Sequence, residues 1–275
     1  MSEADAIQRA TTPATVGSLA RDFRALGLRA EMTVLVHSSL SALGWVSGGP
    51  VAVILALEEV LTPDGTLVMP THSTDLSDPA QWRHPSVPSA WWPIIRRTMP
   101  AFDPDLTPTR QMGRIAETFR KQAGVIRSNH PASSFAAWGR RALEIVEGHS
   151  LEYSLGDESP LARIYDLDGY VLLIGVGHAN NTSLHLAECR ADYPNKKIIT
   201  CGGPINVLSR AGKIEREWVE YQDLDYDSDD FEKLGAGMEE VIQTRRGQVA
   251  QADCRFFAQR AAVDFATRWL ELKRK

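Results

Sequence analysis

The 275-residue chain is 43% hydrophobic and 24% charged, with a formal net charge of −5 and a pI of about 5.8. Those proportions are ordinary for a globular chain of one large domain or two small ones. They exclude a global basic face for nucleic acid, and no apolar run approaches the roughly 20 residues of a membrane helix. The opening stretch, 1–14, is polar and mixed in charge. It lacks the apolar core of a secretory signal, so a cytoplasmic location is expected. Cys189, Cys201 and Cys254 are sparse, odd in number and form no CxxC pair. That usage predicts spectator thiols in a reducing compartment, with neither a disulfide framework nor a zinc site.

Thr15 to Leu26 reads as an amphipathic helix ended by Gly27, with Val16, Leu19, Ala20 and Phe23 on one face. Thr33 to His37 is a β-branched, apolar strand that runs into a small-residue loop, Ser38 to Gly49. Pro50 to Leu61 returns to helical spacing. Gly65 to Thr71 is a second apolar strand, stopped at Pro70. The stretch from His72 to Thr109 is irregular and dense in Pro, Trp, Asp and Ser. A loop of that length in a compact domain usually has a function, as a lid or a binding loop.

Further on, Arg114 to Gln122 and Arg140 to Glu147 predict helices, Ala132 to Trp138 a strand, and Pro160 to Tyr165 a short helical turn. Gly169 to Gly177 is the clearest strand, apolar on both faces, as in the middle of a helix-covered sheet. Asn181 to Ala191 opens a helix with Asn or Thr as N-cap. Ile198 to Leu208 and Lys213 to Leu224 form an antiparallel pair turning at Ala211-Gly212. Phe231 to Thr244 and Asp253 to Leu272 read as C-terminal helices. Strands alternating with helices, then a hairpin, predict an α/β domain over 1–275: a mixed central sheet flanked by helices, with an antiparallel hairpin element.

Three segments have the composition for chemistry. The loop 38–49 links a strand to a helix N-terminus, where backbone amides and the helix dipole suit an anion. It matches neither GxGxxG nor GxxxxGK[ST], so an ordinary turn stays open as a reading. His185 lies where the best strand leaves through a Gly/Asn loop into a helix, the end of an α/β sheet where ligands gather. An imidazole there can take a proton near neutral pH. A satisfied core or surface histidine is the plain alternative, and a metal set of His178, His185 and Glu188 matches no zinc signature. Glu220 to Glu232 is acidic without compensating Lys or Arg. Either it is a solvated run, with Asp229 and Asp230 at a helix start, or strand alternation pairs Asp223 with Asp225 as a wall for a polyamine.

These segments carry a resemblance. Val36-His-Ser-Ser-Leu-Ser-Ala-Leu-Gly-Trp-Val-Ser-Gly-Gly49, Val68-Met-Pro-Thr-His-Ser73, Pro108-Thr-Arg-Gln-Met-Gly113, Arg127-Ser-Asn-His-Pro-Ala-Ser-Ser-Phe135, Asn181-Thr-Ser-Leu-His-Leu-Ala-Glu188 and Trp218-Val-Glu-Tyr-Gln-Asp223 occur in family order across nearly the whole chain. They resemble the aminoglycoside 3-N-acetyltransferases, or antibiotic N-acetyltransferases, whose α/β fold differs from the GNAT fold. The resemblance implies acetyl-coenzyme A as co-substrate, no metal, and a polycationic aminoglycoside as acceptor, with no nucleic-acid or membrane partner. A homodimer is compatible with it. It implies that Ser38, Ser39, Leu40, Ser41, Val46, Gly48 and Gly49 receive the coenzyme, with Thr71, Met112, Gly113 and Ser128 as further contacts. His185 is then the general base, with Glu220 orienting it and loop amides or the Thr71 hydroxyl facing the oxyanion. Acceptor binding falls to Asp75, Glu188, Asp223 and Asp225, with Asp78 nearby and Trp82, Trp91 and Trp92 as sugar walls or packing anchors. Where some members carry an aspartate shortly before the histidine, this chain has Asn180 and Asn181.

Overall fold

The computed structural model describes residues 3–10, 12–83 and 85–274. His84, inside the long stretch 72–109, lies outside the described residues. A seven-stranded sheet runs β3-β4-β2-β1-β5-β9-β8, where β1 is Thr33–Ser38, β2 Thr66–Pro70, β3 Ile126–Arg127, β4 Phe135–Gly139, β5 Tyr170–Ile174, β8 Arg245–Val249 and β9 Ala252–Ala258. The three central strands, β2, β1 and β5, are parallel, and antiparallel pairs flank them. Strands covered on both faces are read as continuous apolar runs, and β1, β2 and β5 are buried almost throughout.

Strand alternation assigns each side chain of β1 to a face. Val34 and Val36 enter a core with α2 (Val16–Leu26), α3 (Gly49–Leu61) and α5 (Gly113–Phe119). Leu35 enters the opposite core with α6 (Ala142–Val146), α7 (Pro160–Asp166), α8 (Ser183–Arg190) and α10 (Gln259–Lys273). By the same alternation His37 falls on the α8 side and Ser38 on the α3 side. Helix α2 begins with a reciprocal cap between Thr15 and Ser18 and ends at Gly27. No described helix is long and apolar enough to cross a membrane.

The expected hairpin is a separate two-stranded sheet, β6 (Ile198–Leu208) with β7 (Ile214–Leu224), in register from Ile198↔Leu224 to Leu208↔Ile214. The stretch 72–109 is more ordered than its composition implies. It holds three short 3-10 turns and α4 (Trp92–Thr98), and it is tied to the hairpin. Phe102 N donates to Pro204 O at 2.9 Å and Arg216 Nε to Met99 O at 2.7 Å.

One element differs outright. The expected helix from Asp253 to Leu272 begins as strand β9 and becomes α10 only at Gln259, and β8 pairs with β9 in a hairpin. β8 is an edge strand whose first four residues are exposed, so it carries no apolar alternation to read. Ala252, Cys254 and Phe256 are the buried alternate positions of β9. The expected helix 231–244 ends early, α9 spanning Phe231–Glu239.

The central strand order makes a switch point: β1 leads through α3 to β2 on one side and has β5 on the other. A crevice opens at the carboxyl ends there. Gly175, just past β5, has φ of 62°, and a Cβ on it would sit 2.1 Å from the Ala42 Cβ. Gly175→Ala is therefore expected to cost roughly 1–3 kcal/mol, measured as a lowered Tm, because the strained backbone and the 40–43 turn cannot both stay in place.

Candidate active site

A cavity of about 600 Å³ opens at the switch point. Of the residues expected to hold the coenzyme, Ser38, Ser39, Leu40, Ser41, Val46, Gly49, Met112 and Gly113 line it. Leu40–Leu43 is a single 3-10 turn, and Gly48 is the left-handed N-cap of α3 with no side-chain cap. An uncapped start to a 13-residue helix leaves open N–H groups and the positive end of its dipole beside the cavity. The donors suit a diphosphate. His37, Gln111 and Arg114 also line the cavity. His37 and Gln111 lay inside the quoted motifs and Arg114 just after one of them, but nothing in their spacing marked them.

Two expected coenzyme contacts lie elsewhere. Thr71 is fully buried, and its hydroxyl takes a bond from Arg127 Nε at 3.1 Å and meets Ser134 Oγ at 3.3 Å. It is committed to the clamp by which Arg127 also grips Thr71 O and Thr107 O, at 2.6 Å each. That removes it as an oxyanion donor. Ser128 is buried against His149 Nδ1 at 2.9 Å and accepts from Phe135 N.

Helix α8 starts beside the cavity, which His185 itself does not line. Asn180 and Thr182 line it, and Asn181 Oδ1 accepts from Ser183 N at 3.2 Å, which fastens the first turn. Thr182 Oγ1 meets His37 Nε2 at 3.3 Å. One turn further, His185 packs its ring against Tyr226 and Phe231, with centroids 5.0 and 4.8 Å away. Its Nδ1 bonds Glu188 Oε2, and the side chain keeps 15% exposure.

Glu188, three positions along the same helix, is the carboxylate at His185. It is fully buried, accepts from Asp227 N at 3.2 Å and pairs with Arg274 Nη1. This corrects two expectations together. Glu220 lies exposed on β7 opposite Gly202 and makes no contact with the imidazole. Glu188, with both oxygens occupied by protein groups, has none left for an acceptor. Its position on the histidine's helix face was visible in the sequence.

The acidic wall is not built as expected either. Asp223 is buried, accepting from Ser154 N at 3.1 Å and Ser154 Oγ at 2.6 Å. Asp225 lies past the end of β7 and is exposed, so the two share no face. Asp75 pairs with Arg110, and Asp78 with Arg96 at 2.8 Å. Trp82 donates to Ser77 Oγ, while Trp91 is exposed on the same segment. His178 turns away from His185 to Glu239, at 2.6 Å. Among the described residues no three His, Cys, Asp or Glu side chains gather as a metal set.

Burial holds neighbouring imidazoles neutral. Desolvation first, then the charge of His185, lowers His37 to about 3. His72 is lowered to about 3 and His149 to about 4, burial being the main cause in both. His130 is lowered well below its ordinary value for the same reason. Burial pushes the thiols the other way, Cys189 to about 12 and Cys201 and Cys254 to about 11. Tyr226 is raised as well, again by burial first.

Residues 35–271 match the family described as aminoglycoside 3-N-acetyltransferase. The chain is 48% identical to the SPbeta prophage-derived aminoglycoside N(3')-acetyltransferase-like protein YokD of Bacillus subtilis (strain 168), covering 96% of this chain and 94% of that one. It is 36% identical to aminoglycoside N(3)-acetyltransferase VII of Streptomyces paromomycinus, covering 99% and 97%. Among solved structures, AAC-IIIb in a binary complex with CoASH is similar at a TM-score of 0.82 and 29% identity, covering 95% and 98%. AAC-VIa bound to sisomicin is similar at 0.83 and 32%, covering 96% and 99%.

The four lowered histidines make stability depend on pH. They stay neutral when folded but charge near pH 6.5 when unfolded, so between about pH 4 and 6.5 the unfolded chain binds more protons and stability falls with pH. Each contributes up to about 1.4 kcal/mol per pH unit in that window. Asp223 opposes them, because burial raises its carboxyl and acid relieves that cost. Calorimetric Tm is expected to fall steadily from pH 7 to 5; a flat profile would mean these imidazoles titrate while folded.

Proposed function

The chain belongs to the aminoglycoside 3-N-acetyltransferase family, and we propose that it moves acetyl from acetyl-coenzyme A directly to the 3-amino group of an aminoglycoside, with His185 as general base. The observation that carries this reading is the imidazole held through Nδ1 by a buried carboxylate, one turn along α8 from Thr182, which lines the cavity. Glu188 as an ionised acceptor keeps the proton on Nδ1 and leaves the Nε2 lone pair open. An acceptor amine is protonated in water and attacks only after losing that proton. Nε2 takes it, the neutral nitrogen bonds to the thioester carbonyl carbon, the carbon–sulfur bond breaks, and the departing thiolate takes the second proton from that nitrogen as the amide forms.

The cavity supports the co-substrate. The open α3 start and Arg114 face anionic charge, while Val46 and Met112 offer apolar contact for a pantetheine arm. Leu40 and Ser41 open the 3-10 turn, so their amides have no acceptor within it and suit the oxyanion. Direct transfer is favoured over a covalent cysteine intermediate by the raised thiols, none of which is a thiolate at neutral pH. Relatives of this fold hold CoASH and sisomicin, the two classes of molecule proposed here.

A second reading, another amine on the same scaffold, draws on one observation: Asp75, Asp78 and Asp223 are all committed to internal partners. A panel of gentamicin, tobramycin, apramycin and simple biosynthetic amines, followed by thiol release from acetyl-coenzyme A, separates the two.

His185→Ala is expected to lower kcat by about 10²- to 10⁴-fold with coenzyme binding retained. Turnover within a few-fold of wild type would end the base assignment. In the same assay Glu188→Gln should cost about 10²-fold or more, and Glu220→Gln should stay within about two-fold, as expected of an exposed side chain without partners.

A further inference from the structure

Glu188 is a bare carboxylate in a fully buried place, and only one of its oxygens serves His185. The other is taken by Arg274, which follows the last helix 86 positions along the chain. Arg274 is itself gripped on every side. Its Nε and Nη2 make a bidentate pair with Asp230 at 2.9 and 2.7 Å. Nη2 also donates to Asp227 O at 2.7 Å, Nη1 reaches Tyr193 Oη at 3.4 Å, and the guanidinium lies over the Tyr193 ring at 5.4 Å. A planar fork with five donors is the group that can hold two carboxylates and a carbonyl in one fixed arrangement.

We propose that Arg274 is a positioning residue for the transfer reaction: with Asp230 it fixes the orientation of Glu188 and sets the proton affinity of His185. The proposal rests on the reading of His185 as base. The charge count explains the design. With His185 neutral, Glu188 and Asp230 carry two negative charges and Arg274 one positive, a net of −1. When His185 takes the amine's proton the cluster reaches zero, so the buried site is electrostatically most at ease after proton transfer. Without Asp230 the same cluster would start at zero and resist the proton. Without Arg274 it would start at −2, hold a proton too tightly and leave Glu188 free to turn.

The other titratable groups facing His185 do not disturb this count. His37 and His72, on the β1 and β2 side, stay neutral. Tyr226, Cys189 and Tyr193 stay protonated because burial raises them. Asp223 lies beyond Tyr226, occupied by Ser154.

The test is the pH profile of thiol release by the full chain, with acetyl-coenzyme A and an aminoglycoside accepted by the wild type. Arg274→Ala is expected to lower kcat about 10²-fold, leave the KM for acetyl-coenzyme A within about three-fold, and move the acid limb of kcat up by about one pH unit, since a cation that opposes the imidazolium is removed. Arg274→Lys should recover at least about ten-fold of the lost kcat. Asp230→Asn, nearly isosteric, should move the limb down. These opposite directions are not what a purely structural clamp gives; limbs unmoved in both variants, or moved the same way, would overturn the proposal. If Arg274→Ala does not fold, Arg274→Gln takes its place, and the direction of its limb against that of Asp230→Asn still decides it. His185→Gln in the same buffers separates the two layers. If it retains turnover, the base reading fails and the proposal with it; if it abolishes turnover while the Arg274 and Asp230 limbs stay put, only the proposal fails.

Discussion

A negative charge with no exposure to water has to be matched by protein groups, and Glu188 is that charge. Its partners come from three distant places: His185 on its own helix, Asp227 N from the segment after β7, and Arg274 beyond α10. Satisfying one carboxylate therefore brings together α8, the start of α9 and the end of α10. It also accounts for part of the acidic run. Asp230, which precedes α9 as its N-cap without capping it by side chain, spends its charge on Arg274. The aromatic rings of Tyr226 and Phe231 close the pocket around the imidazole.

The sheet supplies the other half. Adjacent residues of a strand point to opposite faces, so His37 and Ser38 carry the end of β1 into two environments. Ser38 joins the small-residue turn and the open start of α3, where anions are favoured. His37 reaches Thr182 at the start of α8, on the side of His185. The end of a single central strand thus stands between the cavity with the open α3 start and the His185–Glu188 pair. Neutral imidazoles at this boundary keep extra positive charge away from His185.

Much of this was legible in the amino-acid order, and the rest was not for identifiable reasons. β1, β2 and β5 announce themselves by unbroken apolar runs, and the loop 38–49 by its small residues between strand and helix. His185 stands out by its place after the best strand, where a plain core or surface histidine stayed open until the resemblance named it as the base. What composition does not carry is a contact between residues far apart. Thr71 meets Arg127 across 56 positions, Asp223 meets Ser154 across 69, and Glu188 meets Arg274 across 86. Each of those pairings turns a residue that looked available for a ligand into one already engaged. Glu220 failed as the orienting acid because β7 presents it to solvent, whereas Glu188 had the nearer claim by helical spacing. The strand character of 252–258 was obscured by an edge partner, β8, that is polar and exposed.

The separateness of the β6–β7 hairpin has an evolutionary consequence. It shares no strand with the seven-stranded sheet and is joined instead to the 72–109 segment, through Gln81 to Thr200 O, Phe102 to Pro204 and Arg216 to Met99. Substitutions toward its Ala211-Gly212 turn, at the far end of β7 from Asp223, Tyr226 and Asp227, need not strain the strands that carry Ser38 and His37, nor the buried charges around Glu188. For the function proposed above, sequence change in this outer unit can alter which amine is accepted while the strand ends and the buried charges stay in place.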